Sequence, residues 1–155
     1  MLRTHEQGLG HMGKNYALTF GKLAIILVIS GPDTTNVTTL VANIFADGIS
    51  MIIPTSQISI SVIETGAYQE ADILRISKHC IEWNIIVKNV DELSKRINQA
   101  FVIAISERPA PVPISFFKNI TTIISRKPIL LKYTIPKNLD NHLLSIFYQK
   151  TLTKM

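Results

Sequence analysis

Apolar and polar positions along this chain follow two rhythms, and the switches between them delimit the elements. Between His5 and Phe20, the residues Leu9, Met12, Tyr16 and Phe20 recur near one face at helical spacing, which predicts a helix over 5–20. Gly8, Gly10 and Gly13 weaken it by up to about 1 kcal/mol each against alanine, and helical glycines often mark close packing on a backbone or ligand. Gly21 stops it. The run Leu23-Ala24-Ile25-Ile26-Leu27-Val28-Ile29 is apolar at every position, as in a strand buried on both faces of a parallel sheet. After the turn at Ser30-Gly31-Pro32-Asp33, Thr34 or Thr35 is placed to cap a helix. Its apolar positions Val37, Leu40, Val41, Ile44 and Phe45 share one face. Gly48 ends that helix, and Met51-Ile52-Ile53 begins the next strand, completing a strand–helix–strand unit.

Downstream, residues 56–72 read as loop and 81–87 as a further strand. Asp91 is placed to cap a long helix that carries Leu93, Ile97, Phe101 and Ala104 on one side. Arg108-Pro109-Ala110-Pro111 closes it, and residues 112–116 read as another strand. The alternation predicts an α/β domain, a mostly parallel sheet flanked by helices, over 1–119. Beyond Lys118 the periodicity loosens, and Pro128 and Pro136 punctuate a linker-like segment over 120–155.

Size and composition narrow the classes. The chain has 155 residues, enough for one real core and too few for two large ones. Hydrophobic residues make up 46% and charged ones 17%, yet no apolar run nears the roughly 20 residues of a membrane helix, so no membrane is expected as a partner. The start lacks the character of a signal or transit peptide, which implies a cytoplasmic chain if expressed as it stands. The single Cys80 has no partner for an internal disulfide. A net charge of +5 invites nucleic acid, but the basic residues are scattered without aromatic interleaving, so no nucleic acid is expected. His5, His11, His79 and His142 show no metal-ligand spacing.

Candidate chemistry begins at Glu6 in His5-Glu6-Gln7-Gly8, followed by Gly10-His11-Met12. A carboxylate at the head of a helix is usually a capping or solvated group. Ser30-Gly31-Pro32-Asp33-Thr34-Thr35-Asn36 lies where a strand hands over to a helix, and ligands of open α/β sheets collect at such strand ends. Arg108, beside a helix end, is by itself a solvated arginine, although a guanidinium also suits a phosphate or stacked ring.

Taken together and in order, these segments resemble the pyrimidine-binding domain of thiamine-diphosphate enzymes, specifically the acetolactate synthase catalytic subunits of fungal, mitochondrial type. The resemblance runs over 2–119. The family's Gly-Pro-Gly-Ala-Thr-Asn corresponds to Gly31 through Asn36, with Asp33 in place of the second glycine. Its Gly-Gln-Val-Pro corresponds to Ser56-Gln57-Ile58-Ser59, and its Asp-Ala-Phe-Gln-Glu-Ala-Asp to Gly66-Ala67-Tyr68-Gln69-Glu70-Ala71-Asp72. Gly-Arg-Pro-Gly-Pro-Val corresponds to Glu107 through Val112, and Val-Asp-Ile-Pro-Lys-Asp to Ile114-Ser115-Phe116-Phe117-Lys118-Asn119. Phe45-Ala46-Asp47-Gly48-Ile49 and Lys88 through Leu93 carry the fungal character.

The resemblance implies roles. Glu6 is the catalytic group that hydrogen-bonds the aminopyrimidine ring of thiamine diphosphate. Pro32, Asn36 and Gln69 join it in binding the cofactor, and Arg108 contacts FAD. Gln57, Tyr68 and Lys118 line the substrate channel. The family's Mg²⁺ ligands, in a Gly-Asp-Gly…Asn stretch, have no counterpart in this sequence. The family's first strand and helix are not expected here either, and their loss would leave an apolar sheet edge unpaired. The implied partners are 2-oxo acids and, for the missing half of the site, a homodimer or a chain bearing the pyrophosphate domain. Mitochondrial location follows from the family alone. Two readings compete: part of a genuine synthase joining two pyruvates, or pyruvate and 2-oxobutyrate, and inactive alone, or a decayed, non-catalytic remnant that serves as an interaction module.

Overall fold

The computed structural model describes residues 5–123, apart from positions 69, 72, 82 and 107. The linker-like expectation beyond Ile123 lies outside the described residues. Ten elements follow in order: α1 (Glu6–Phe20), β1 (Ala24–Ile25), α2 (Pro32–Asn36), α3 (Thr38–Asp47), β2 (Met51–Gln57), α4 (Ile73–Ser77), β3 (Ile85–Val87), α5 (Leu93–Ile105), β4 (Pro111–Phe117) and α6 (Lys118–Thr121). Short 3₁₀ turns occupy Ile60–Val62 and Val90–Glu92.

The four strands form one sheet in the order β1-β2-β4-β3, and every pairing is parallel. The strand, helix, strand alternation therefore yields the α/β class expected. The sheet centre is the seven-residue ladder from Met51↔Pro111 to Gln57↔Phe117. One face packs Ala24, Ile26, Met51 and Ile53 with Leu40, Val41 and Ile44 of α3 and Ala17 of α1. The other packs Leu23, Ile52, Val112 and Ile114 with Ala100 and Ala104 of α5.

Helix α1 seats differently from its large-residue pattern. Its buried positions are Gly10 and Ala17, with Leu9 and Tyr16 alongside, whereas Phe20 is 60% exposed and rests on the Tyr16 ring at 4.9 Å. A Cβ on Gly10 would stand 2.0 Å from Leu40 Cδ2, and one on Gly13 would stand 2.7 Å from Ile26 Cγ2. Small residues let the helix backbone lie against α3 and β1, and no larger side chain fits that stripe. Lys14 Nζ meets Asp47 Oδ2 at 2.5 Å and ties α1 to the end of α3.

Three other expectations are corrected. Regular pairing in the first strand covers only Ala24–Ile25, with a further bridge at Val28↔Thr55, and Leu27 and Ile29 are 71% and 57% exposed. Among the described residues β1 pairs with β2 alone, and on the face shared with α5 burial falls from Leu23, 2% exposed, through Ile25 to Leu27 and Ile29. The single helix expected after the turn is two: α2, with Gly31 as its N-cap and opened by Pro32, whose ring pre-sets the first helical φ, and α3, which carries the apolar stripe and starts after Val37. Thr34 and Thr35 sit inside α2, where their hydroxyls donate to Ile29 O and Pro32 O. Finally, Asn89 rather than Asp91 caps the segment leading into α5, its Oδ1 accepting from Asp91 N at 3.2 Å. An extended Asn89 is a better cap than a residue already inside the 3₁₀ turn. Helix α4, within the stretch where the alternation left no pattern, was not expected.

Candidate functional site

The carboxyl ends of the parallel strands collect most of the polar candidates. Gly21, in left-handed conformation at φ 61°, joins α1 to β1 through a short turn, so α1 runs back along the sheet and its first residue returns to the carboxyl edge. His5 caps that end, its Nδ1 accepting from Gln7 N at 3.2 Å. Sequence reasoning gave His5 no role, although a residue with a side-chain acceptor just before a helix is the usual cap signal.

Glu6 is partly exposed at this rim, and Asn36 Nδ2 donates to its Oε2 at 3.1 Å. The bond joins the head of α1 to the last residue of α2, 30 positions apart in sequence. It holds the Glu6 carboxyl below the usual carboxylate range, helped by the Glu6 backbone N–H and by His5 nearby. Two sequence candidates, Glu6 and Asn36, thus meet directly. Pro32 stands at the other end of the same five-residue helix.

The turn feeding α2 depends on Gly31, whose φ of 73° and ψ of −133° suit glycine alone. Its carbonyl accepts from Thr34 N and Thr35 N. Asp33 takes ordinary helical geometry, so the turn needs no second glycine at that position. Ser56 Oγ accepts from Ser30 N at 3.0 Å and pins the turn to the end of β2. A glycine there would leave that N–H without this partner.

Beside the turn, Ser30, Ser56, Gln57, Ile58, Tyr68 and Lys118 are among the residues lining an open cavity of about 430 Å³. The three channel candidates Gln57, Tyr68 and Lys118 therefore come together. Gln57 is partly committed: its Nε2 donates to Ala71 O at 3.0 Å and its Oε1 accepts from Ile58 N at 3.3 Å, closing the loop between them. Tyr68 is 90% exposed on that loop. Glu64, also on the loop, adopts φ 64° although it is not glycine, and Glu70 Oε2 accepts from Ala67 N at 3.0 Å. Gln69 lies outside the described residues. Ser30 and Ser56 went unrecognised as lining residues, since a serine in a polar stretch carries no distinguishing signal.

Arg108 is elsewhere. It precedes β4 at the amino edge of the sheet, the opposite end from Glu6. Its Nη2 donates to Phe45 O at 3.0 Å and Ala46 O at 3.2 Å, and its guanidinium lies 5.1 Å from the Phe45 ring centroid. It reinforces the end of α3, where Phe45 O also accepts from Gly48 N at 3.3 Å. Ser115, at a position where the resemblance implies an aspartate, is buried with its Oγ 2.9 Å from Thr55 Oγ, and the pair joins β2 to β4 inside the sheet. Among the described residues, no three His, Cys, Asp or Glu side chains gather as a metal would require, and no helix is long and apolar enough to cross a membrane.

Comparison with known proteins agrees with this architecture. Residues 1–76 match the family described as "Thiamine pyrophosphate enzyme, N-terminal TPP binding domain". The mitochondrial acetolactate synthase catalytic subunit of Saccharomyces cerevisiae is 50% identical over 145 residues, covering 94% of this chain and 21% of that protein. The corresponding subunit of Aspergillus candidus is 43% identical over 136 residues, 88% of this chain and 20% of its own length. The acetolactate synthase isozyme 1 large subunit of Escherichia coli is 39% identical over 124 residues, 80% of this chain and 22% of its own. This chain thus spans about a fifth of the length of the curated relatives it matches. With half its residues shared with the yeast subunit and a parallel α/β sheet of the corresponding kind, it belongs to the acetolactate synthase catalytic-subunit family, through the thiamine pyrophosphate enzyme N-terminal domain.

Proposed function

We propose that this chain forms the pyrimidine-side half of a thiamine-diphosphate site, in an acetolactate synthase that condenses two pyruvates, or pyruvate and 2-oxobutyrate. The observation that carries this reading is the Glu6 carboxylate, held by Asn36 at 3.1 Å on the rim where the strands end. An ionised, partly exposed carboxylate is the acceptor that a protonated ring nitrogen requires. When bound, thiamine diphosphate supplies the carbanion chemistry. Glu6 would hold the proton shared with the aminopyrimidine ring, Pro32, Asn36 and Gln69 would bound the ring's pocket, and Gln57, Tyr68 and Lys118 would line the approach of the 2-oxo acids.

The lowered Glu6 carboxyl supports a reading with a second body. A carboxyl held below its usual range is a poor proton sharer, and burial against another domain is the ordinary way to raise it. The proposed arrangement is therefore residues 1–119 as one half-site, facing a pyrophosphate-binding domain in a homodimer or on a separate chain that also supplies the Mg²⁺ ligands. Arg108, fixed on the end of α3, would contact FAD. The relatives carry a mitochondrial designation, and the same location is proposed here. The decayed-remnant reading is second. Ser56 and Ser115, at positions where the family pattern differs, are both bonded within the fold, as in a domain kept for its shape.

The test adds millimolar thiamine diphosphate and Mg²⁺ to the full chain and follows backbone amide shifts. Perturbations are expected at Glu6, Gly8 and Asn36 and should vanish in Glu6→Gln, while acetolactate formation from pyruvate with FAD present stays at background. No perturbation at these residues would refute the half-site, and turnover abolished by Glu6→Gln would refute the need for a second body.

A further inference from the structure

We infer that Asn36 is the positioning residue of Glu6, fixing the direction of its carboxylate from across the junction of α1 and α2. The sequence resemblance implied a cofactor contact for Asn36, but the geometry assigns its amide to the glutamate: Nδ2 stands 3.1 Å from Oε2.

Both ends of this bond are anchored. Helix α2 is held at its start, because Thr34, 2% exposed, donates to Ile29 O. Val37, directly after Asn36, is 1% exposed in the core. Helix α1 cannot rotate, because Gly10 rides on Leu40 and Gly13 on Ile26. The bond is exposed, but both backbones that carry it are packed. Holding a reacting group within a fraction of an ångström is where such contacts matter most. Asn36 supplies a neutral donor, so it orients the carboxylate without adding a charge beside it. An aspartate there would keep the shape and replace the donor with a repelling acceptor.

The inference rests on Glu6 being the functional carboxylate, but its test needs no cofactor. The Glu6 side-chain carboxyl carbon would be titrated by NMR in the full chain, in Asn36→Ala, in Asn36→Asp and in Thr35→Ala. The Glu6 midpoint is expected to rise in Asn36→Ala, to rise further in Asn36→Asp, and to stay at the wild-type value in Thr35→Ala. Asn36→Ser, which keeps a hydroxyl donor on a shorter stem, gives a second variant should Asn36→Ala unfold α2, and the same upward direction is expected. Unmoved midpoints in the Asn36 variants that fold, or an equal rise in Thr35→Ala, would overturn the inference. A failed thiamine-diphosphate perturbation alongside a moved midpoint would sink the cofactor reading and leave the Asn36–Glu6 coupling standing.

Discussion

The two edges of the sheet use their charged residues in opposite ways. At the amino edge, Arg108 is spent on the fold: it holds two carbonyls at the end of α3 and stacks on Phe45. At the carboxyl edge, Glu6 is held by one neutral amide across a helix junction, beside Gly31 and within the same rim as the 430 Å³ cavity. Both residues were singled out by motif, and motif alone could not separate them. What separates them is which group each side chain meets. Arginine meets carbonyls at a helix end, one of which, Phe45 O, also accepts from Gly48 N at 3.3 Å. Glutamate meets an amide that no helix needed to satisfy.

The difference holds only if α1 keeps Glu6 on its rim, so the largest expected effect comes from unseating that helix. Gly10→Val should destabilise the chain by about 3 kcal/mol, since its Cβ would overlap Leu40 Cδ2 in a closed core. Gly8→Val, on the same helix with nothing within 4 Å, should cost almost nothing by comparison. Urea denaturation of the two variants checks the contrast. Equal losses would mean that helix propensity, not the seat on α3, sets the position of Glu6.

Between the edges lies the Thr55–Ser115 pair, whose loss should come next in size. Thr55→Val leaves the buried Ser115 hydroxyl without its 2.9 Å partner and should cost about 2 kcal/mol. Adding Ser115→Ala should recover much of that, because two apolar groups of similar shape leave nothing unsatisfied. A double-mutant cycle measures this coupling. Strict additivity would show that β2 and β4 are joined by their ladder alone.

These contacts explain what the sequence could and could not disclose. The α/β alternation was legible because Leu23–Ile29, the Val37-to-Phe45 stripe and the helix before Arg108 each repeat one period over several residues. The exposure of Leu27 and Ile29 was not, because an apolar run reads the same whether or not another element covers it. The stripe of α1 was misassigned to large residues since burial there runs through Gly10, Gly13 and Ala17, which carry no hydrophobic signal. Glu6 and Asn36 were each legible as candidates from resemblance. Their bond was not, because 30 residues separate them and only the packing of two helices closes that distance. The Ser56 and Ser115 bonds were hidden for the same reason.

A smaller effect tests the amino edge. Arg108→Ala should cost about 1 kcal/mol, through lost carbonyl bonds and the contact with Phe45, visible as a lower thermal midpoint. Arg108→Lys should restore only part of it, since an ammonium lacks the planar fork. Neither variant should move the Glu6 titration. A moved titration would break the separation of the two edges.

The smallest effect is the pH dependence carried by Glu6. Its carboxyl lies below the usual range in the folded chain, with the Asn36 bond the main cause, and returns to an ordinary value on unfolding. The folded state thus binds the proton less tightly than the unfolded one, so the stability that Glu6 adds is present above the unfolded value. It drains away as pH falls through the folded value, where both states become protonated. Stability measured by denaturant from neutral to acid pH should therefore differ between wild type and Glu6→Gln near neutrality, and the two curves should converge in acid. Because the group is partly exposed and water screens it, the gap should be the least of the four. A gap that instead widened toward acid would mean that Glu6 is destabilised in the fold, a strained carboxylate waiting for its ligand rather than one held at rest by Asn36.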